Sequence, residues 1–116
     1  MRYSRKPFPG AEVIPELGLC DTDYVVPKRR YSGFFHTDLE LLLKELGVDT
    51  VIMTGLHTHM CVRHTSADAY QLGYGIVVAK DATDSFTAAD YESGLKYLKD
   101  VYGAEISDVS SLIRSF

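Results

Sequence analysis

Two short runs of uninterrupted apolar residues, Val51-Ile52-Met53 and Ile76-Val77-Val78-Ala79, constrain this chain more than any other feature. A strand with one wet face alternates apolar and polar residues, whereas a strand covered on both faces reads as a continuous apolar run. Strands of the second kind belong to parallel sheets, and parallel neighbours must be joined by a long crossover, usually a helix. The intervening segment supplies one, because the sequence predicts strands over residues 50–54 and 75–79 and a helix over 61–72. The class expected is α/β, a three-layer α/β/α arrangement around a mainly parallel, Rossmann-like sheet.

The flanking segments extend the alternation. Leu39, Leu42, Leu43 and Leu46 recur at helical spacing before Gly47, and Thr37-Asp38-Leu39-Glu40 has the spacing of a capping box. A second helix is expected over residues 88–102, with Thr87 as its N-cap and Asp90 three residues on. Short strands are expected over residues 24–26 and 104–106. The first nineteen residues hold Pro7, Pro9 and Pro15 with Gly10 and Gly18, and read as irregular chain. With 116 residues, 46% of them hydrophobic, the chain is read as one domain over residues 1–116.

Charge and cysteine content narrow the setting. The net charge is −4, which argues against a nucleic-acid partner, although six of the twelve basic residues fall within the first thirty positions. Met1-Arg2-Tyr3-Ser4-Arg5-Lys6-Pro7 leads into no apolar stretch, and no run is long enough for a membrane span, so a cytoplasmic protein without membrane contact is expected. Cys20 and Cys61 are then read as two thiols rather than a disulfide.

Cys61 stands where the strand over 50–54 gives way through Gly55-Leu56-His57-Thr58-His59-Met60 to the predicted helix. Unpaired N–H groups and the positive end of the helix dipole favour an anionic, nucleophilic sulfur at such a junction. Reacting groups in open α/β sheets also gather at the carboxyl ends of strands. Lys28, just past the strand expected over 24–26, falls at the same sheet edge and supplies a cation beside the thiolate. Backbone N–H groups of Cys61 and of the preceding loop are candidates for holding an oxyanion. Phe34 and Phe35 are candidate walls of an apolar pocket, against the plainer reading of aromatic core. His57, His59 and His64 invite a metal reading, but no acid or second cysteine completes a ligand spacing, and no metal or other cofactor is expected. His57 or His59 as general base for Cys61 is the other use for them.

The ordered set Lys28-Arg29-Arg30-Tyr31-Ser32-Gly33-Phe34, Thr37-Asp38-Leu39, Gly55-Leu56-His57-Thr58-His59-Met60-Cys61-Val62, Thr65, Asp68-Ala69, Gly73-Tyr74 and Asp81-Ala82 resembles the isochorismatase-like cysteine hydrolases. That family includes nicotinamidases and N-carbamoylsarcosine amidase. The resemblance implies a triad of aspartate, lysine and cysteine, with Cys61 matching the nucleophile and Lys28 the lysine. It also implies a cis peptide at Leu56-His57 that turns the His57 N–H towards the oxyanion beside that of Cys61, and a substrate pocket drawing on Tyr31, Phe34, His57 and Thr58. The substrate class implied is a small amide of the nicotinamide or carbamoyl kind. The isochorismatase branch, which cleaves a vinyl ether, typically lacks the cysteine.

The chain departs from the family pattern at one point. The triad aspartate of the family lies in an Asp-x-Gln motif that these 116 residues do not contain, and the strand carrying the metal-holding Asp and His of the nicotinamidase branch is missing with it. The chain therefore reads as N-terminally shortened. Asp21 and Asp23 precede the Lys28 segment and suit turns better than the missing acid. A sheet left with an open edge is expected to pair, so a homo-oligomer is anticipated. Two functions compete: a cysteine hydrolase acting on C–N bonds through a Cys61 acyl-enzyme, and a catalytically impaired remnant or interaction protein on the same scaffold.

Overall fold

The computed structural model describes residues 12–116. A single turn of 3-10 helix at Pro15–Leu17, closed by Gly18, precedes a long coil. The helix α1 follows at Leu39–Leu46, then β1 at Thr50–Leu56, a π-helical turn at Thr58–Val62 and α2 at Arg63–Gln71. The rest of the chain forms β2 at Gly75–Asp84, α3 at Ala88–Tyr102, β3 at Glu105–Ser107 and α4 at Val109–Arg114. The irregular chain expected over residues 1–19 lies outside the described residues as far as position 11.

The three strands form one parallel sheet in the order β1-β2-β3, as continuous apolar runs require. Thr50 to Met53 pair in step with Gly75 to Val78, after which the register slips and Gly55 and Leu56 pair with Thr83 and Asp84. Gly55 sits at the slip with φ 98°, a conformation costly for any residue with a Cβ. Side chains alternate across β1, so Val51 and Met53 pack towards the core while Ile52, on the other face, is 42% exposed. The core joins Val62 and Ala69 of the crossover, Ile76 and Val78 of β2, Leu98 of α3 and Ala104. Tyr97 of α3 takes the Arg63 guanidinium over its ring at 3.8 Å, which ties the start of α2 to α3. The helix α4 rests against β2, and the Asp81 carboxylate accepts the Val109 N–H at 2.9 Å.

The α/β class read from the sequence is the class adopted, and several local readings change. The expected strand at 24–26 is coil, with Tyr24 63% and Val25 55% exposed. Strand propensity at three residues does not make a strand without a neighbour to pair with. The expected capping box before α1 is replaced by a different local bond, from the Leu39 N–H to Thr37 Oγ1 at 3.3 Å. Gly47 does close α1, at φ 70°. Among the described residues no helix is long and apolar enough to cross a membrane.

Candidate active site

Helical chain begins three residues earlier than the sequence suggested, at Thr58 rather than Cys61. The N–H groups of Met60 and Val62 both donate to the His57 carbonyl, at 3.0 and 3.2 Å, which produces the wide π turn. Cys61 thus lies within the first turn of a helical segment that continues as α2, and remains in reach of the positive end of its dipole. The Leu56-His57 peptide that feeds the turn is cis.

Three contacts fix the turn from below. Thr58 is fully buried, and its Oγ1 lies 2.7 Å from Thr83 Oγ1 on the slipped end of β2. His59 Nδ1 is 2.9 Å from Ser85 Oγ, and its Nε2 is 3.8 Å from the Asp90 carboxylate at the start of α3. Gly94 of α3 is buried against the same two residues, where a Cβ would meet the His59 nitrogen and Thr58 Cγ2 at 3.2 Å each. Phe86 covers the outside, with its ring centroid 4.0 Å from that of His57.

A loop from the other side of the molecule brings the cation. Lys28 Nζ donates to the Arg30 carbonyl at 2.9 Å and reaches Cys61 Sγ at 3.6 Å, across thirty-three positions of sequence. The loop is sewn to α2 by two bonds: the Gly33 N–H donates to Thr65 Oγ1 at 2.9 Å, and the Ser32 hydroxyl donates to the Asp68 carboxylate. Ser32, Gly33, Thr65 and Asp68 therefore form the fastening that holds Lys28 over the sulfur. Both cysteines are free thiols, Cys20 exposed and Cys61 half-buried.

The remaining sequence candidates separate into two places. Tyr31 is half exposed with its ring 5.1 Å from His64, and it lines a cavity of about 760 Å³ together with Lys28 and Phe35. Phe34 turns inward, packs against the core and stacks on Tyr74 at 6.3 Å. Thr58 points into the packing beneath the turn, and His57 sits under Phe86. The three histidines considered as a metal set diverge, since His64 Nδ1 donates to the Met60 carbonyl at 2.7 Å while His59 is turned to Ser85 and Asp90. Among the described residues no group of three or more His, Cys, Asp or Glu side chains is placed to hold a metal ion. Thr83, Ser85, Phe86 and Gly94 were not singled out in the sequence. Only the slipped register and the α3 contact bring them to the turn, and neither leaves a local signal.

The isochorismatase domain family matches residues 2–111. A ureidoacrylate amidohydrolase of Variovorax paradoxus is 36% identical over 105 residues, covering 90% of this chain and 42% of its own length. The crystal structure of N-carbamoylsarcosine amidase from Thermoplasma acidophilum superposes with a TM-score of 0.81 at 40% identity, over 92% of this chain and 60% of that one. A pyrazinamidase/nicotinamidase from Streptococcus mutans gives 0.68 at 46% identity, over 69% and 44%. The chain spans about half the length of the curated relatives it matches.

Proposed function

Taking as premise that the chain belongs to the isochorismatase family, we propose that it carries the nucleophilic part of an amidohydrolase site acting on small amides. In this reading the Cys61 sulfur, as thiolate, attacks the amide carbonyl carbon and forms a tetrahedral oxyanion. The backbone N–H groups of His57 and Cys61 receive that oxyanion. The C–N bond then breaks, the amine leaves with the proton that the thiol gave up to solvent on becoming thiolate, and water hydrolyses the thioester to release the carboxylic acid and regenerate the thiol. The Lys28 ammonium stands beside the sulfur, and its 3.6 Å approach to Cys61 is the single observation that carries the proposal. Tyr31 lines the neighbouring cavity, while the positions of Phe34 and Thr58 support a role in shaping the site from behind.

The test uses the two cysteines of the intact chain against each other. Cys61 should react with iodoacetamide at neutral pH faster than exposed Cys20, and Lys28→Ala should remove most of that advantage, as peptide mass spectrometry would report. Ammonia release from nicotinamide or an N-carbamoyl amide, lost in Cys61→Ala, is the catalytic counterpart. Equal alkylation of both cysteines, indifferent to Lys28, would sink the proposal.

An oligomer is supported by the edge position of β1 among the described residues and by Leu56, 60% exposed on it, and light scattering would test it. Two free thiols support a cytoplasmic setting.

A further inference from the structure

The Lys28 nitrogen lies 3.6 Å from the Cys61 sulfur, within hydrogen-bonding reach, and the Arg30 carbonyl holds it there at 2.9 Å. The Ser32–Asp68 and Gly33–Thr65 bonds fix the loop behind it. An amine nitrogen is therefore held where an oxidised Cys61 sulfur would meet it. A sulfenic acid condenses with a thiol to a disulfide, or with a backbone nitrogen to a sulfenamide. Neither of these partners is ready for Cys61. Cys20 Sγ donates to the Gly18 carbonyl at 3.3 Å, and the Cys20 N–H donates to the Asp23 carboxylate at 2.8 Å, so the second thiol is engaged in its own exposed turn. The Val62 N–H, next in the chain after Cys61, donates to the His57 carbonyl at 3.2 Å, and its capture by sulfur would break the π turn. Cys61 is half-buried rather than enclosed, which leaves its sulfur open to a small oxidant.

We propose that Lys28 is the resolving group of a redox switch: a hydroperoxide oxidises Cys61 to the sulfenic acid, and the Lys28 amine closes on it to form a reversible S–N crosslink. In the first step the sulfur takes one oxygen of the peroxide. The thiol is oxidised by two electrons, the O–O bond breaks, and hydrogen peroxide leaves as water. In the second step the Lys28 ammonium releases a proton to solvent and its nitrogen lone pair attacks the sulfur. The S–N bond forms, the S–O bond breaks, and the hydroxyl leaves with a second nitrogen proton as water. Two molecules of a small thiol reverse the link, the first displacing the amine to give a mixed disulfide and the second freeing Cys61. The crosslink withdraws the nucleophile and its cation together, and stops the sulfur short of the sulfinic acid, which thiols do not reduce. It rests on the same Lys28–Cys61 approach as the amidohydrolase reading but requires no amide turnover.

Intact-mass and tryptic-peptide spectrometry tests the switch on the full chain carrying Cys20→Ser, which rules out a disulfide between the two cysteines, with hydrogen peroxide as the probe. The treated chain should become lighter by two hydrogens while staying a single chain. Digestion should join the segment holding Lys28 to the one holding Cys61, with cleavage after Lys28 lost. Dithiothreitol should restore the starting mass and both peptides. Lys28→Arg in the same background should lose the joined peptide and gain two oxygens on Cys61 instead, and Cys61→Ser should show neither product. Lys28 is exposed, so its variant should keep the native circular dichroism. An unlinked Cys61, whether untouched by peroxide or carrying two oxygens to the same extent in both chains, would overturn the proposal. So would a joined peptide that persists in Lys28→Arg, or a link that retains a peroxide oxygen. Amide turnover by the untreated chain without any crosslink after peroxide would sink the switch and leave the amidohydrolase reading standing, whereas a crosslink without turnover would do the reverse.

Discussion

Replacing Gly94 with alanine tests whether α3 is what holds the Cys61 turn in place. In an exposed helix interior the change stabilises by about 0.5–1 kcal/mol, because glycine spends more backbone entropy on folding than alanine does. Here the added Cβ meets the His59 nitrogen and Thr58 Cγ2 at 3.2 Å and the His59 Cα at 3.3 Å. Two of those atoms are backbone, and the third belongs to a fully buried side chain bonded to Thr83, so the neighbours cannot give way by rotating. Overpacking of this kind costs about 1–3 kcal/mol. The sum is a net loss of about 1 kcal/mol, or about 3–6 °C in midpoint for a chain of this size. Relief requires the turn to move a few tenths of an ångström from α3, carrying Cys61 with it, so its alkylation rate should fall severalfold relative to Cys20. Thermal unfolding and the alkylation ratio, with exposed Ser93→Ala on the same helix as comparator, measure both effects. A Gly94→Ala chain that is more stable by about 1 kcal/mol with an unchanged ratio would refute the reasoning, since it would mean that α3 slides freely over the turn.

Other substitutions probe the support of that arrangement. Leu98, fully buried where α3 meets the sheet, should cost about 2–5 kcal/mol on change to alanine, read from urea unfolding. Thr87 caps α3 by accepting the Asp90 N–H at 3.1 Å, and Thr87→Ala should cost about 0.5–2 kcal/mol in the same assay. Hydrogen bonding from the Ser111 backbone, then from its side chain, holds the Asp108 carboxyl below its ordinary value at the start of α4. A carboxyl lowered on folding adds stability that is present above its unfolded value, near pH 4, and is lost as pH falls through the folded one. Protection of the α4 amides, taken relative to their intrinsic exchange rate at each pH, should therefore fall on acidification below about pH 4, and Asp108→Ala should abolish that dependence.

How much of this was legible follows from where each signal resides. The helix α3 was readable to the residue, because cap, acidic third position and apolar face all sit within one local window. The helix α1 was readable from its leucine spacing and its Gly47 stop, although Thr37 bonds the Leu39 N–H instead of closing the expected capping box. Strand β2 was read only to residue 79, since its continuation to Asp84 is polar and pairs across a slipped register that no alternation announces. The helix α4 was overlooked although Asp108 and Ser111 stand at cap spacing, because six residues carry too little periodicity to assert a helix. The stretch 24–26 failed in the opposite sense, having strand residues but no strand beside it.

The pairing of Lys28 with Cys61 was reached from the sequence through an incorrect intermediate. A strand ending before Lys28 was supposed to deliver it to the sheet edge, and that strand is coil. Delivery is instead by hydrogen bonds: Ser32 and Gly33 fasten the loop to Asp68 and Thr65, two turns and one turn respectively along the helix that Cys61 precedes, and the Arg30 carbonyl holds the ammonium. A loop fixed in this way takes its register from α2 rather than from the sheet. Lys28 and Cys61 should then keep their approach wherever α2 and its π turn move together, and lose it where they part. Gly94 governs the turn and Thr65 the loop, so the two contacts set the cation and the sulfur from opposite sides.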